Sequence, residues 1–217
     1  LYRLFFKGLK VILLSERLFS DIEKYVKSED VFFCPNAIPE KSANAKCNIL
    51  PSSTIRILFL SNLLPDKGPI VLLDALEILK SKGYVFVCDF VGSETKQLDR
   101  MLFNSERDRR GLSSMVFYHG KKYGEEKEIF WQKADLFVFP TKDECFPLVL
   151  LEAMQHHLPV IFYQHKNHIY EGFTDRYECS KLVYFEEFDT AEAAAIMHRT
   201  KRQIGDLIYR AKNDSEK

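Results

Sequence analysis

Apolar positions along the chain fall into short unbroken runs rather than alternating ones. Ile55–Leu60 (IRILFL), residues 85–91 (VFVCDFV), residues 115–119 (MVFYH), Leu136–Phe139 (LFVF) and Val160–Tyr163 (VIFY) have the length of buried strands; residues 181–185 (KLVYF) form a weaker sixth. A strand that is apolar on both faces must be covered on both, which predicts a parallel sheet rather than a half-exposed antiparallel one. Between the runs the period changes. Ile70, Leu73, Ala75, Leu76 and Leu79 recur at helical spacing and stop at Gly83. Residues 125–134 gather Ile129, Phe130 and Ala134 on one face, and residues 147–155 open on a proline suited to a first helical turn. Strand–helix–strand alternation with crossovers of this length reads as α/β, a Rossmann-like parallel sheet with helices on both faces.

The front of the chain has its own pattern. It predicts a strand at Val11-Ile12-Leu13-Leu14, a helix over residues 16–26 and a strand over residues 31–34. Pro35-Asn36-Ala37-Ile38-Pro39 then breaks the alternation, and a polar stretch without period runs to Ser53. The expected organisation is therefore the tail of one α/β unit over 1–38, a linker over 39–53 and the main α/β unit over 54–217. The chain opens on Leu1 in mid-pattern with no small-residue cleavage site, which reads as a piece of something longer and not as a signal peptide.

Composition narrows the classes. With 46% hydrophobic and 13% aromatic residues, intrinsic disorder is excluded. Thirty-one basic side chains against 31 acidic ones argue against a nucleic-acid binder, which normally carries a basic excess. Five scattered cysteines (Cys34, Cys47, Cys88, Cys145, Cys179) without a C-x-x-C pair suit neither a disulfide framework nor a zinc site, and fit a reducing cytosol. No apolar run reaches the roughly 18–20 residues of a membrane span. The expected location is cytoplasmic, with peripheral attachment at the inner membrane face open to a longer parent.

In open parallel sheets ligands bind beyond the carboxyl ends of the strands. Those ends carry Ser61-Asn62-Leu63-Leu64-Pro65-Asp66-Lys67-Gly68, Gly92-Ser93, Gly120-Lys121-Lys122 and Pro140-Thr141-Lys142-Asp143-Glu144-Cys145-Phe146-Pro147. Glycines, hydroxyls and lysines in such places suit a phosphate, which needs free backbone N–H groups and positive charge. Neither a Walker A loop nor G-x-G-x-x-G occurs, which argues against an ordinary NTPase or dinucleotide dehydrogenase; G-x-S-x-G, H-E-x-x-H and clustered metal ligands are also absent. His156-His157 and His165/His168 are the close histidines; lacking a placed carboxylate or cysteine partner, they read as solvated loop, and no metal is expected.

The strongest local signal is Glu144-Cys145-Phe146-Pro147-Leu148-Val149-Leu150-Leu151-Glu152-Ala153-Met154, with two carboxylates eight residues apart. Glu144 stands where a strand end meets a helix N-terminus. Glu152 lies on a helix otherwise full of Leu, Val, Ala and Met, where a carboxylate is costly unless hydrogen-bonded. The structural alternative makes Glu144 a helix-entry acid favoured by the dipole and Glu152 a solvent-facing residue.

With these segments, Phe59 to Gly68, Ala134-Asp135-Leu136-Phe137-Val138-Phe139-Pro140-Thr141 and Leu158-Pro159-Val160-Ile161, the chain resembles the C-terminal, donor-binding domain of GT-B glycosyltransferases of family 4. Val31-Phe32-Phe33-Cys34-Pro35-Asn36-Ala37-Ile38 is similar to that family's last first-domain strand and its hinge. The resemblance covers residues 31–161 and fades beyond them. It implies a retaining enzyme that transfers sugar from a nucleotide-sugar donor to an acceptor hydroxyl in glycan or polysaccharide biosynthesis, without a metal or other cofactor. The glycan or lipid-linked acceptor would be held by an N-terminal domain that this chain nearly lacks, so the chain alone is expected to bind donor and not necessarily to turn over. The alternatives are a nucleotide-sugar epimerase of the same architecture and a non-catalytic nucleotide-binding module.

The resemblance also implies roles. Lys67 would open a helix running to Lys82 and contact the donor diphosphate. Ser61-Asn62 stand where the family usually has Gly-Arg, so Asn62 would offer a hydrogen bond but no charge there. Lys121 and Lys122 read first as a solvated basic pair and second as a replacement for that charge. Glu144 would lie by the transferred sugar as the catalytic residue, and the backbone around Phe146, Leu148 and Val149 would hold sugar or phosphate oxygens. Pro147, where the family has glycine, removes one N–H donor. Glu152 would accept hydrogen bonds from the ribose hydroxyls, and Gly92 would let backbone come close to the nucleotide.

Overall fold

The computed structural model describes residues 2–39, 54–142, 144, 147–163 and 182–185. The first stretch holds a short helix α1 (Tyr2–Phe5), strand β1 (Val11–Leu13), a 3-10 turn, helix α2 (Phe19–Ile22) and strand β2 (Val31–Phe33). β1 and β2 pair in parallel, Val11 opposite Val31. The helix expected over 16–26 is shorter than its pattern: a 3-10 turn at Glu16–Leu18 and one turn of α-helix that buries none of its residues.

The six apolar runs are the six strands of the main sheet. They are β3 (Ile55–Leu60), β4 (Phe86–Val91), β5 (Val116–Tyr118), β6 (Leu136–Phe139), β7 (Val160–Tyr163) and β8 (Leu182–Phe185). They lie in the order β5-β4-β3-β6-β7-β8, and each neighbouring pair is parallel. Helices α3 (Pro69–Ser81), α4 (Arg100–Arg109), α5 (Gly124–Lys133) and α6 (Leu148–Gln155) connect them. The third helix of the sequence reading thus begins at Leu148, with Pro147 as its N-cap residue.

Alternation along each strand divides the core into two layers. Ile57, Phe59, Cys88, Phe90 and Val138 face α3 and α4, where Leu72, Leu76 and Phe103 close the first cluster. Leu58, Leu60, Phe137, Phe139 and Phe162 face α5 and α6, where Trp131, Leu150 and Ala153 close the second. Rings carry the first layer across the sheet: Phe59 to Phe90 and Phe90 to Phe103 both at 4.9 Å between centroids. Helices on both faces of a parallel sheet are what the unbroken apolar runs predict.

Helix α4 had no counterpart in the sequence pattern. It is strongly polar and buries only Phe103, so its apolar stripe is a single residue. Its start is fixed locally by Asp99, whose carboxylate accepts the Leu102 N–H at 2.8 Å. Its end is fixed by Arg110, buried between helices and bonded to Asp74 of α3 and Glu106 of α4.

The connection out of the front segment also touches the main unit. Ile38 packs against the second cluster, and the Gln155 side chain at the end of α6 donates to the Pro39 carbonyl at 2.8 Å.

Candidate functional site

The sheet changes direction between β3 and β6. From β3 the chain winds outward to β4 and β5, and from β6 it winds the other way to β7 and β8. Loops leaving adjacent strands in opposite directions open a crevice at their carboxyl ends, the usual ligand position in this architecture. Ser61, Asn62 and Lys67 lie on the loop after β3, and Glu144 on the loop after β6. Leu148, Val149 and Glu152 sit on α6, and Gly92 follows β4.

The two loops are tied together. The Lys142 N–H donates to the Asp66 carbonyl at 2.9 Å, and the fully buried Thr141 hydroxyl reaches the same oxygen at 3.4 Å. Gly68, at φ +73°, sits so close to the end of β6 that a Cβ there would lie 2.2 Å from the Pro140 carbonyl oxygen. Across this junction the Lys67 ammonium donates to the Glu144 carboxylate; their side chains are only 21% and 19% exposed.

Lys67 does not open α3, as its sequence position suggested. It ends a 3-10 turn, Pro65–Lys67, and α3 starts two residues later at Pro69. Gly68, between them, takes the left-handed conformation that reverses the chain, which only glycine adopts cheaply. The ammonium is therefore directed across the loop junction to Glu144 and is not the first residue of the helix.

The neighbouring strand ends are equally close. A Cβ on Gly92 would meet the Ser61 carbonyl oxygen at 1.8 Å, so glycine is demanded here by backbone packing alone. The Ser61 N–H donates to the Val91 carbonyl at 3.0 Å, and the Ser93 N–H donates to the Asn62 side-chain oxygen at 3.2 Å. Asn62 thus braces the loops after β3 and β4. Tyr118 at the end of β5 donates its hydroxyl to the Gly92 carbonyl at 2.9 Å, with Arg100 lying over its ring at 4.7 Å. Burial and the charge of Glu94 raise the Tyr118 phenol above its ordinary range despite Arg100, which keeps that hydroxyl a donor.

On α6, Leu148 is exposed, Val149 is half-buried against the second cluster, and the N-cap residue, Pro147, offers no side-chain cap. The first-turn N–H groups of Leu148 and Val149 thus lack an intrahelical partner. Phe146 and Cys145 lie outside the described residues. Glu152 is held from a helix that the sequence reading had not connected with it. Lys127 of α5 donates to Glu152 Oε1 at 2.7 Å, whereas Glu152 Oε2 is shielded from water and has no hydrogen-bond partner among the described residues. Sequence reasoning missed Lys127 because it sits among Glu125, Glu126 and Glu128, where it reads as one more surface charge.

Two further readings are adjusted. His156 is not solvated loop: it is buried at the end of α6, stacked on Trp131 at 5.7 Å, with Nε2 3.2 Å from Glu128 Oε1. His165 and His168 lie outside the described residues. Lys121 lies over the Tyr123 ring at 4.6 Å, and Lys122 pairs with Glu126 at 3.0 Å, so the basic pair is engaged locally at the start of α5.

The profile of the family described as Glycosyl transferases group 1 matches residues 40–197, well over half of the chain. The chain belongs to the group 1 glycosyl transferases. The family assignment is that of a transferase, not the epimerase alternative. Among curated relatives of this group 1 chain, the amylovoran biosynthesis glycosyltransferase AmsK of Erwinia amylovora is 29% identical over 177 residues. That match covers 78% of this chain and 41% of the relative, so the chain spans about two fifths of the relative's length. Among solved structures, WaaG, a glycosyltransferase involved in lipopolysaccharide biosynthesis, superposes with a TM-score of 0.71 at 19% identity, covering 95% of this chain and 58% of WaaG. HepE from Anabaena, solved in complex with UDP and glucose, gives 0.68 at 18% identity, covering 94% and 57%. These likenesses establish the fold, one Rossmann-like half of a GT-B architecture. No helix among the described residues is long and apolar enough to cross a membrane.

Proposed function

We propose that this chain is the donor-binding half of a retaining, family 4 type glycosyltransferase. One observation carries the proposal: Lys67 and Glu144 converge from the two loops that leave the sheet's switch point in opposite directions. An ammonium and a carboxylate side by side in a crevice meet the two needs of glycosyl transfer from a nucleotide-sugar. The ammonium faces the departing diphosphate; the carboxylate faces the sugar whose anomeric carbon gains positive character.

In this reading the nucleotide lies along the ends of β3, β4 and α6. The ribose hydroxyls donate to Glu152, the only carboxylate on α6. The diphosphate takes Lys67, Asn62 and the first-turn N–H groups of Leu148 and Val149. Ser61 and Gly92 allow the close backbone approach. The acceptor oxygen bonds to the anomeric carbon on the face from which the diphosphate leaves, and its proton passes to the departing phosphate oxygen. Stabilising a leaving anion with preorganised donors is the kind of contribution that dominates such rates. No metal or other cofactor is assigned a step.

Residues 1–38 are then the tail of an acceptor-side domain, 39–53 the linker and 54–217 the donor unit. The partners are a nucleotide-sugar and a glycan or lipid-linked acceptor, and the setting is cytoplasmic, with attachment at the inner membrane face through the longer protein. The biosynthetic context of AmsK and WaaG makes polysaccharide or lipopolysaccharide assembly the favoured setting, and the UDP in HepE makes uridine the first nucleotide to test. The experiment is turnover of UDP-, GDP- and ADP-sugars by the full-length protein, reading nucleoside diphosphate released and the anomeric configuration of the product by NMR. Product of unchanged configuration supports the proposal. Inverted product removes the retaining mechanism, and epimerised sugar without transfer removes the transferase.

A further inference from the structure

Lys127 is the charged residue whose place neither the fold nor the proposed chemistry accounts for. It lies on α5, on the crossover between β5 and β6, and is three-quarters buried. Its neighbours on the same helix, Phe130 and Trp131, pack in the second core layer. An apolar residue would fill such a position at less cost, because an ammonium loses hydration there. Its ammonium reaches one partner on another helix, Glu152 Oε1, at 2.7 Å. The other carboxylate oxygen, Oε2, is shielded and finds no donor among the described residues.

We infer that Lys127 is a positioning residue for recognition of the donor's ribose: it anchors Oε1 and fixes the carboxylate plane so that Oε2 is presented to the ribose diol. A glutamate side chain has a freely turning terminal torsion, and a carboxylate held at one oxygen loses that freedom before the ligand arrives. The ammonium also offsets the charge of a carboxylate on a helix otherwise lined by Leu150, Leu151 and Ala153. Hydrogen bonds to a charged acceptor are roughly twice as strong as neutral ones, so an oriented, charged Oε2 discriminates sharply between a ribose and a sugar lacking its hydroxyls. A second polar contact between the end of α6 and α5 lies one residue along, where Glu128 Oε1 is 3.2 Å from His156 Nε2.

This assignment rests on Glu152 facing the ribose, and the test separates the two. UDP, GDP and ADP are titrated calorimetrically into the chain, followed by the 2′,3′-dideoxy form of the tightest binder. The ratio of the two dissociation constants is the readout, since loss of fold or of diphosphate contacts weakens both ligands alike. In the parent the dideoxy form binds about tenfold or more weakly, the equivalent of one hydrogen bond to a charged group. Glu152→Ala brings the ratio to about 1. Lys127→Met lowers it to within about threefold of 1, and Lys127→Arg restores most of it. A parent that does not discriminate overturns the ribose role of Glu152 and this inference together. A parent that discriminates through Glu152 while Lys127→Met keeps the parental ratio, or raises it, overturns the inference alone. If Lys127→Met fails to fold, Lys127→Gln serves in its place; failure of both makes Lys127 a structural residue and also overturns it.

Discussion

Lys67 and Glu144 stand 77 positions apart in sequence and form an ion pair across the junction of the loops after β3 and β6. Each is about four-fifths buried, so each compensates the other for lost hydration. A diphosphate arriving in the crevice offers the ammonium a second, more highly charged partner. In the proposed reading, donor binding is thereby coupled to release or sharing of the Glu144 carboxylate.

Lys67→Met is expected to raise the dissociation constant for a nucleoside diphosphate roughly tenfold to a hundredfold, the range for losing one charge-assisted hydrogen bond. Binding of the free nucleoside, which lacks the diphosphate, should be unchanged. Calorimetric titration of the two ligands against both proteins checks this; an equal loss for both would place Lys67 away from the phosphates.

Glu144→Gln tests the other half of the pair. In the full-length protein it should depress kcat by about tenfold to a thousandfold while leaving nucleoside diphosphate affinity within a few fold, because the contact is made to charge that develops in the transition state. A change confined to KM would mean that Glu144 contributes uniform binding instead.

Gly92→Ala should destabilise the protein by about 1–3 kcal/mol or more, since the added methyl would sit 1.8 Å from the Ser61 carbonyl oxygen and 2.4 Å from its carbon. Both contacts are backbone, which cannot swing aside as a side chain would. Urea unfolding of the two proteins is the measurement; equal midpoints would show that the strand ends separate without cost.

Arg110 ties α3 to α4, with side-chain bonds to Asp74 at 2.8 Å and Glu106 at 2.6 Å. The Arg110 and Arg109 hydrogen bonds hold the Glu106 carboxyl below its usual range. A folded-state value below the unfolded one contributes stability that is present above the unfolded value, near 4.3, and disappears as pH falls through the folded value. Glu106→Gln should therefore be less stable than the parent at pH 7, and the gap should close as pH is lowered towards about 3. Urea midpoints across that range decide it; a gap independent of pH would mean that the carboxylate's charge is not involved.

The sheet was legible because each main strand is apolar on consecutive residues, a pattern that survives without knowing its neighbours. Phe137 and Val138 could be placed in a two-sided core from their own adjacency. Helix α4 was not legible, since Phe103 alone marks its buried face and its start depends on the Asp99 cap. The short front helix failed the other way: its pattern runs on to Val26, but the α-helix stops at Ile22 with none of its four residues fully buried. Positions of site residues at strand ends followed from the alternation of elements. Their partnerships did not: Lys67 with Glu144 and Lys127 with Glu152 are made by strand order, which no local pattern carries. Gly92 was legible as a close approach of backbone, which in the fold is made to the Ser61 carbonyl.

The central claim is that the crevice between the loops after β3 and β6 holds a nucleoside diphosphate. Thermal unfolding of the 217-residue chain with UDP, GDP and ADP, each paired with its nucleoside, tests it most directly. One of the three diphosphates should raise the melting temperature, by the equivalent of about 2.7 kcal/mol at a hundredfold excess over its dissociation constant, and Lys67→Met should need a roughly tenfold higher concentration for the same shift. If none of the three moves the transition at millimolar concentration, or if Lys67→Met responds as the parent does, the donor site is not where this account puts it.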